Sequence, residues 1–178
     1  MKKTSSISLI GMPGSGKSTL GKLLANTLKL KFIDTDQLIE ARANQSLQSL
    51  VNEQGYEVLR QLEEDVLLNT EFGAAVIATG GSAVYSKKAM NRLKTLGPCV
   101  YLEVSFRNMS RRIGSAVNRG LAISNDMSLD SMYKEREPMY KYFADNLLDT
   151  DAAKKARLVL NLEDIYHQAP NPTATHYK

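Results

Sequence analysis

An open α/β fold is what this sequence predicts: three layers, with a doubly wound five-stranded parallel sheet carrying helices on both faces. Two observations point there. Short apolar runs of strand length alternate with longer stretches of helical periodicity along the chain, which is the order in which a parallel sheet is assembled. The first of those runs leads directly into Gly11-Met12-Pro13-Gly14-Ser15-Gly16-Lys17-Ser18-Thr19, a complete phosphate-binding loop of the form GxxxxGK(S/T) set between a strand and a helix.

The elements follow in order. Ile7-Ser8-Leu9-Ile10 reads as a short buried strand and Thr19–Leu28 as an amphipathic helix. Further strands are expected at Lys31–Ile33, Ala75–Ala78, Cys99–Leu102 and Asn146–Leu148. Helical patterns lie between and after them at Gln37–Ala43, Leu47–Gln54, Glu57–Thr70, Lys87–Leu96, Phe106–Ile113, Leu129–Tyr142 and Ala153–Tyr166. In an open parallel sheet ligands collect at the carboxyl ends of the strands, and the polar motifs fall at such ends or in the helix that follows. The segment from Gly114 to Met127 has few large apolar residues and reads as a mobile flap; the stretch 168–178, with two prolines, reads as a disordered tail.

At 178 residues with 43% hydrophobic content the chain can bury one good core, so a single domain over 1–167 is expected. One cysteine, Cys99, cannot form an internal disulfide, which agrees with a cytoplasmic setting. No apolar run reaches membrane-spanning length. The net charge of +4 is spread along the chain without a recognition motif for nucleic acid, and anionic small substrates account for it. His167 and His176 are the only histidines, which argues against a histidine base or a zinc site. A monomer is expected, although no long apolar stripe is left unassigned from which to read an oligomeric state.

The phosphate loop dictates the chemistry. Glycines let successive backbone N–H groups curl around a β-phosphate, Lys17 can reach the β- and γ-phosphates, and the Ser18 hydroxyl can ligate Mg²⁺. Gly14, Ser15, Gly16, Lys17, Ser18 and Thr19 are therefore the expected nucleotide-binding residues. A GTPase would need an NKxD-type guanine reader and a DxxG switch, and a transport ATPase a glycine-rich signature segment. Neither occurs, and a small-molecule kinase remains.

With the loop, five further features resemble the shikimate kinase family up to about Tyr166: Asp34-Thr35-Asp36, Arg60 with Glu63, Ala78-Thr79-Gly80-Gly81, Arg112 with Arg119, and Arg136-Glu137-Pro138-Met139-Tyr140. The resemblance implies ATP- and Mg²⁺-dependent phosphorylation of the 3-hydroxyl of shikimate, with a helical substrate region at about 37–63 and a lid at about 112–127. It assigns Asp34, with Ser18, to the metal and its water shell, and Asp36 to the substrate hydroxyl as orienting group or base. It gives Arg60, Gly81 and Arg136 to the substrate, the two arginines gripping its carboxylate. A guanidinium suits that task because its planar fork binds bidentately. Lys17 and Arg119 would compensate charge on the moving phosphoryl group, and Arg112 would pack on the adenine. Simpler readings stand beside these: a helix N-cap for one of the two aspartates, an i,i+3 surface ion pair for Arg60 and Glu63, and a helix-end cation for Arg112.

The chain also departs from the family's usual pattern. Ser82 stands where a third glycine is usual, Gly120 where a proline follows the lid arginine, and Val51 and Leu59 where two phenylalanines flank the substrate. Ala153 replaces a frequent arginine near the base, with Lys154 and Lys155 close by, and Asn44 replaces a common glycine. Anchors kept while padding is trimmed predict kinase chemistry with a weakened or shifted acceptor preference, and the Ser82 hydroxyl could favour a different polyol. A kinase of another small hydroxy acid such as gluconate, and a nucleotide-binding paralogue with little turnover, are the alternatives.

Overall fold

The computed structural model describes residues 5–114, 121 and 127–170. Five strands form one parallel sheet in the order β2-β3-β1-β4-β5: β1 (Ile7–Ile10), β2 (Lys31–Asp34), β3 (Ala75–Ala78), β4 (Cys99–Glu103) and β5 (Asn146–Asp149). The register places Ile7 beside Val76, and Ser8 beside Cys99. Side chains alternate across a strand, so β1 to β4 each feed two cores, while β5 contributes Leu148 to one. Ile7, Leu9, Val76, Val100 and Leu102 face one side of the sheet, against Leu20 and Leu24 of α1 (Lys17–Leu28) and Leu158, Leu162 and Tyr166 of α8 (Lys155–Gln168). Ile10, Ile77 and Tyr101 face the other. There they meet α4 (Tyr56–Asn69), α5 (Lys87–Leu96), α6 (Phe106–Gly114) and α7 (Leu129–Phe143), through Leu67, Met90, Met109 and Tyr140. Strands buried on both faces read as continuous apolar runs, which is why Ile7–Ile10 and Ala75–Ala78 were legible as strands.

A third, smaller cluster joins Ile39 of α2 (Thr35–Ala43), Leu50 of α3 (Leu47–Gln54) and Leu59 and Val66 of α4. It holds these helices together at one end of the sheet. Asn44 ends α2 in the left-handed region at φ 52°, a conformation Asn tolerates better than other non-glycine residues.

Some boundaries differ from the sequence-based expectation for local reasons. Helix α1 begins at Lys17, two residues early, because Gly16 takes φ 100° and hands the chain straight from loop to helix. Helix α8 begins at Lys155, not Ala153, since bends occupy 151–153 and Lys154 is the N-cap residue. A one-turn 3-10 helix at Ala83–Tyr85 was not expected; three residues carry no periodicity to read. The flap (114–127) and the tail (168–178) lie for the most part outside the described residues, Arg119 and Gly120 among them. No described helix is long and apolar enough to cross a membrane.

Candidate active site

The phosphate loop leaves β1 and ends in the first turn of α1, so its backbone amides and the positive end of a helix converge on one spot. Gly14 at φ 76° and Gly16 at φ 100° make the required turns, which a side chain would strain. Lys17 is buried, and its Nζ donates to the carbonyls of Gly11 at 2.7 Å and Met12 at 2.8 Å. The ammonium thus braces the loop from inside.

Asp34 answers the question its sequence left open by doing two things. Its Oδ1 accepts from the Asp36 backbone N–H at 3.2 Å as the N-cap of α2, while its Oδ2 accepts from the Ser18 hydroxyl at 2.7 Å. A hydroxyl and a carboxylate side by side are hard oxygen donors of the kind Mg²⁺ takes alongside phosphates and water. Among the described residues no group of three or more His, Cys, Asp or Glu forms a metal cluster.

A cavity of about 590 Å³ runs from the loop to the helices beyond it. Gly14, Ser15, Gly16, Lys17, Ser18, Thr19 and Arg112 line one end, and Asp36, Leu59, Glu63, Gly81, Ser82 and Arg136 the other. Arg112 spans the loop and the segment after β5, donating from Nη1 to the Gly14 carbonyl at 3.0 Å and from Nη2 to Asp151 Oδ1 at 3.2 Å. Lys155, next to the Ala153 departure, lines the same cavity.

At the end away from the phosphate loop, Arg136 is 1% exposed and donates from Nη1 to the Gly81 carbonyl at 3.1 Å. Tyr140, one turn along α7, donates to the same carbonyl at 2.5 Å and stacks on Tyr101 of β4, so the arginine stands on a fixed base. Arg60 is not among the residues lining the cavity. Its guanidinium packs between the rings of Tyr85, 3.7 Å from Cζ to centroid, and Tyr56, at 4.8 Å. Arg136 approaches the same Tyr85 ring at 5.3 Å, so the two arginines do converge on one place. Leu59 lines the cavity, whereas Val51 packs into the cluster of α2, α3 and α4. The aromatic surface here comes from Tyr56 and Tyr85, and it lies against arginine.

Glu63 does something other than pair with Arg60 on the surface. It is 2% exposed, and its Oε2 accepts from the Ser82 hydroxyl. Ser82 therefore serves a carboxylate of its own chain. Glu63 Oε1 is buried with no hydrogen-bond partner among the described atoms. A methyl placed on Gly80 would sit 2.5 Å from Glu63 Oε1 and 2.6 Å from Asp36 Oδ1, so the absent side chain is what lets the two acids share this corner. Burial, with the Asp36 charge beside it, pushes the Glu63 carboxyl up to about 7, against the opposing pull of Ser82, Arg136 and Lys17. The Gly80 N–H donates to Thr35 Oγ1 at 3.0 Å, tying the strand end to α2.

Sequence reasoning paid too little heed to Glu63 and Ser82, and did not single out Tyr85. A buried glutamate one turn from an arginine looks like any exposed i,i+3 pair until the packing is known. Nothing in the sequence around Tyr85 marks it, since its partners lie on two distant helices.

The shikimate kinase family model matches residues 13–166. A shikimate kinase of Francisella philomiragia is 36% identical over 163 residues, covering 89% of this chain and 93% of that protein. The shikimate kinase from Acinetobacter baumannii, solved in complex with shikimate, superimposes with a TM-score of 0.82 at 28% identity over 92% of this chain and 93% of that one. The one from Aquifex aeolicus gives 0.75 at 27% identity, over 91% and 96%. A deoxyadenosine kinase from M. mycoides, at 16% identity and a TM-score of 0.55 over 89% of this chain and 97% of that one, shares the fold alone. With a phosphate loop facing a buried arginine and a carboxylate across one cavity, and with a family match over most of its length, this chain belongs to the shikimate kinase family.

Proposed function

We propose that this kinase transfers the γ-phosphoryl group of ATP to the 3-hydroxyl of shikimate, with Mg²⁺. The observation that carries the reading is the single cavity with a phosphate loop at one end and Asp36, Gly81 and Arg136 at the other. An anion held by Arg136, with Arg60 beside it, presents its hydroxyl toward Asp36, which orients it or accepts its proton. Positioning and charge compensation do most of the work in phosphoryl transfer. Lys17 supplies positive charge from within the loop, and Arg119 is proposed as the second cation. Ser18 and Asp34 would hold Mg²⁺, which when bound shields charge on the phosphate oxygens. Arg112 is proposed to border the adenine, and α2 through the first turns of α4 to form the acceptor-binding region.

Ser82 bears on acceptor choice. Because its hydroxyl is committed to Glu63, the departure from glycine gives no independent reason to favour another polyol, and shikimate is preferred to gluconate. The test is ADP release with Mg²⁺ and a panel of hydroxy acids. Turnover is expected with shikimate, well above that with gluconate, and it should vanish in Lys17→Ala. Strong release with gluconate and none with shikimate would overturn the acceptor assignment, and an unchanged rate in Lys17→Ala the charge-compensation role.

A further inference from the structure

Tyr85 ends the one-turn 3-10 helix that follows Gly81 and Ser82, and it meets both arginines of the acceptor end. Arg60 arrives from α4 and Arg136 from α7. Two like charges brought close in a partly buried place repel each other, and side chains of this length have many rotamers in which to move apart. The Tyr85 ring offsets both tendencies. Its π-face lies 3.7 Å from the Arg60 Cζ and 5.3 Å from that of Arg136, so each cation meets the negative face of one quadrupole. Tyr56 covers Arg60 at 4.8 Å, giving that guanidinium a second aromatic neighbour.

The hydroxyl adds direction. Tyr85 Oη accepts from Arg136 Nε at 3.3 Å and donates to Glu135 Oε1 at 2.7 Å. Arg136 Nη1 is committed to the Gly81 carbonyl. With two of its edges fixed by protein atoms, the plane of the Arg136 fork is set before any ligand arrives. Burial raises the Tyr85 pKa above its ordinary value, so the hydroxyl keeps its proton and its role as donor to Glu135.

We propose that Tyr85 is a positioning residue for acceptor binding: its ring spaces Arg60 from Arg136 and its hydroxyl fixes the plane of Arg136, presenting the pair to a carboxylate. This rests on the reading above that these arginines grip the acid. Tyr85 itself need not touch the substrate. Removing it costs ordering of the cations, which shows in acceptor affinity and not in the rate of the bound complex.

The test uses the whole chain, with shikimate and its neutral carboxamide as acceptors at saturating ATP and Mg²⁺. Tyr85→Leu is expected to raise KM for the acid about tenfold. Its kcat and KM for ATP should stay within about twofold of the parent values, and kcat/KM for the carboxamide should not change. Tyr85→Phe keeps the ring and is expected to lose about threefold on the acid alone. It decides the matter if the leucine variant fails to fold. An equal loss on acid and carboxamide, or a fall in kcat at constant KM, overturns the proposal. Arg136→Ala is run beside them. If its loss is confined to the acid while that of Tyr85→Leu is not, the role of Tyr85 alone fails; if Arg136→Ala costs acid and carboxamide alike, the grip and the proposal fail together.

Discussion

Replacing Glu63 with glutamine should stabilise this protein, and by an amount that depends on pH. The folded-state carboxyl is raised from 4.5 to about 7, first by burial and then by Asp36. Between those two values the unfolded chain has already released its proton and the folded chain still holds it, so wild-type stability falls as pH rises through the window and is flat above it. The shift corresponds to about 3 kcal/mol, and the attraction of Arg136 and Lys17 is already contained in it. Glutamine has the same shape, keeps an oxygen for the Ser82 hydroxyl, and has nothing to ionise. Glu63→Gln is therefore expected to match wild type near pH 4.5 and to exceed it by up to about 3 kcal/mol above pH 8. For a chain of this size that is about 6 to 12 °C in Tm. Urea unfolding or thermal melts of both proteins at several pH values measure it directly. A difference that is constant with pH, or that grows as pH falls, would refute the placing of a strained, ionisable carboxylate at this corner.

Two other variants probe neighbouring features. Gly80→Ala would push a methyl into Glu63 Oε1 and Asp36 Oδ1. It is expected to cost about 1 to 3 kcal/mol of stability and at least tenfold in kcat/KM for the acceptor, with KM for ATP nearly unchanged, as steady-state kinetics would show. Arg112→Ala removes the bonds to Gly14 and Asp151; calorimetry is expected to find ADP bound about three- to tenfold more weakly, with little change in KM for the acid.

The phosphate loop was legible in the sequence because its geometry is local. Gly14, Gly16, Lys17 and Ser18 lie within five residues, and a strand before them with a helix after them is enough to fold the loop. Helices α3 and α5 were equally plain from their periodicity, and the structure adds serine caps at Ser46 and Ser86, whose side-chain oxygens accept from the N–H groups of Ser49 and Ala89. The other end of the cavity was proposed as acceptor-binding only through resemblance. Arg60 and Arg136 could be named as a pair, but not the ring that both approach, and Ser82 could be seen as unusual without any hint that Glu63 was its partner.

By itself the amino-acid sequence determined the class of fold, the phosphate-binding loop and the family, since apolar periodicity, glycine placement and motif order are properties of contiguous residues. Only the tertiary structure decided what surrounds Arg136. There Glu63, Asp36, Ser82, Tyr85 and Arg136 meet from α4, α2, the turn after β3 and α7. The charge state of Glu63 and the orientation of Arg136 are set by burial and by through-space contacts. Such contacts leave no trace in local sequence, because the chain distances they span are fixed only when the sheet is assembled.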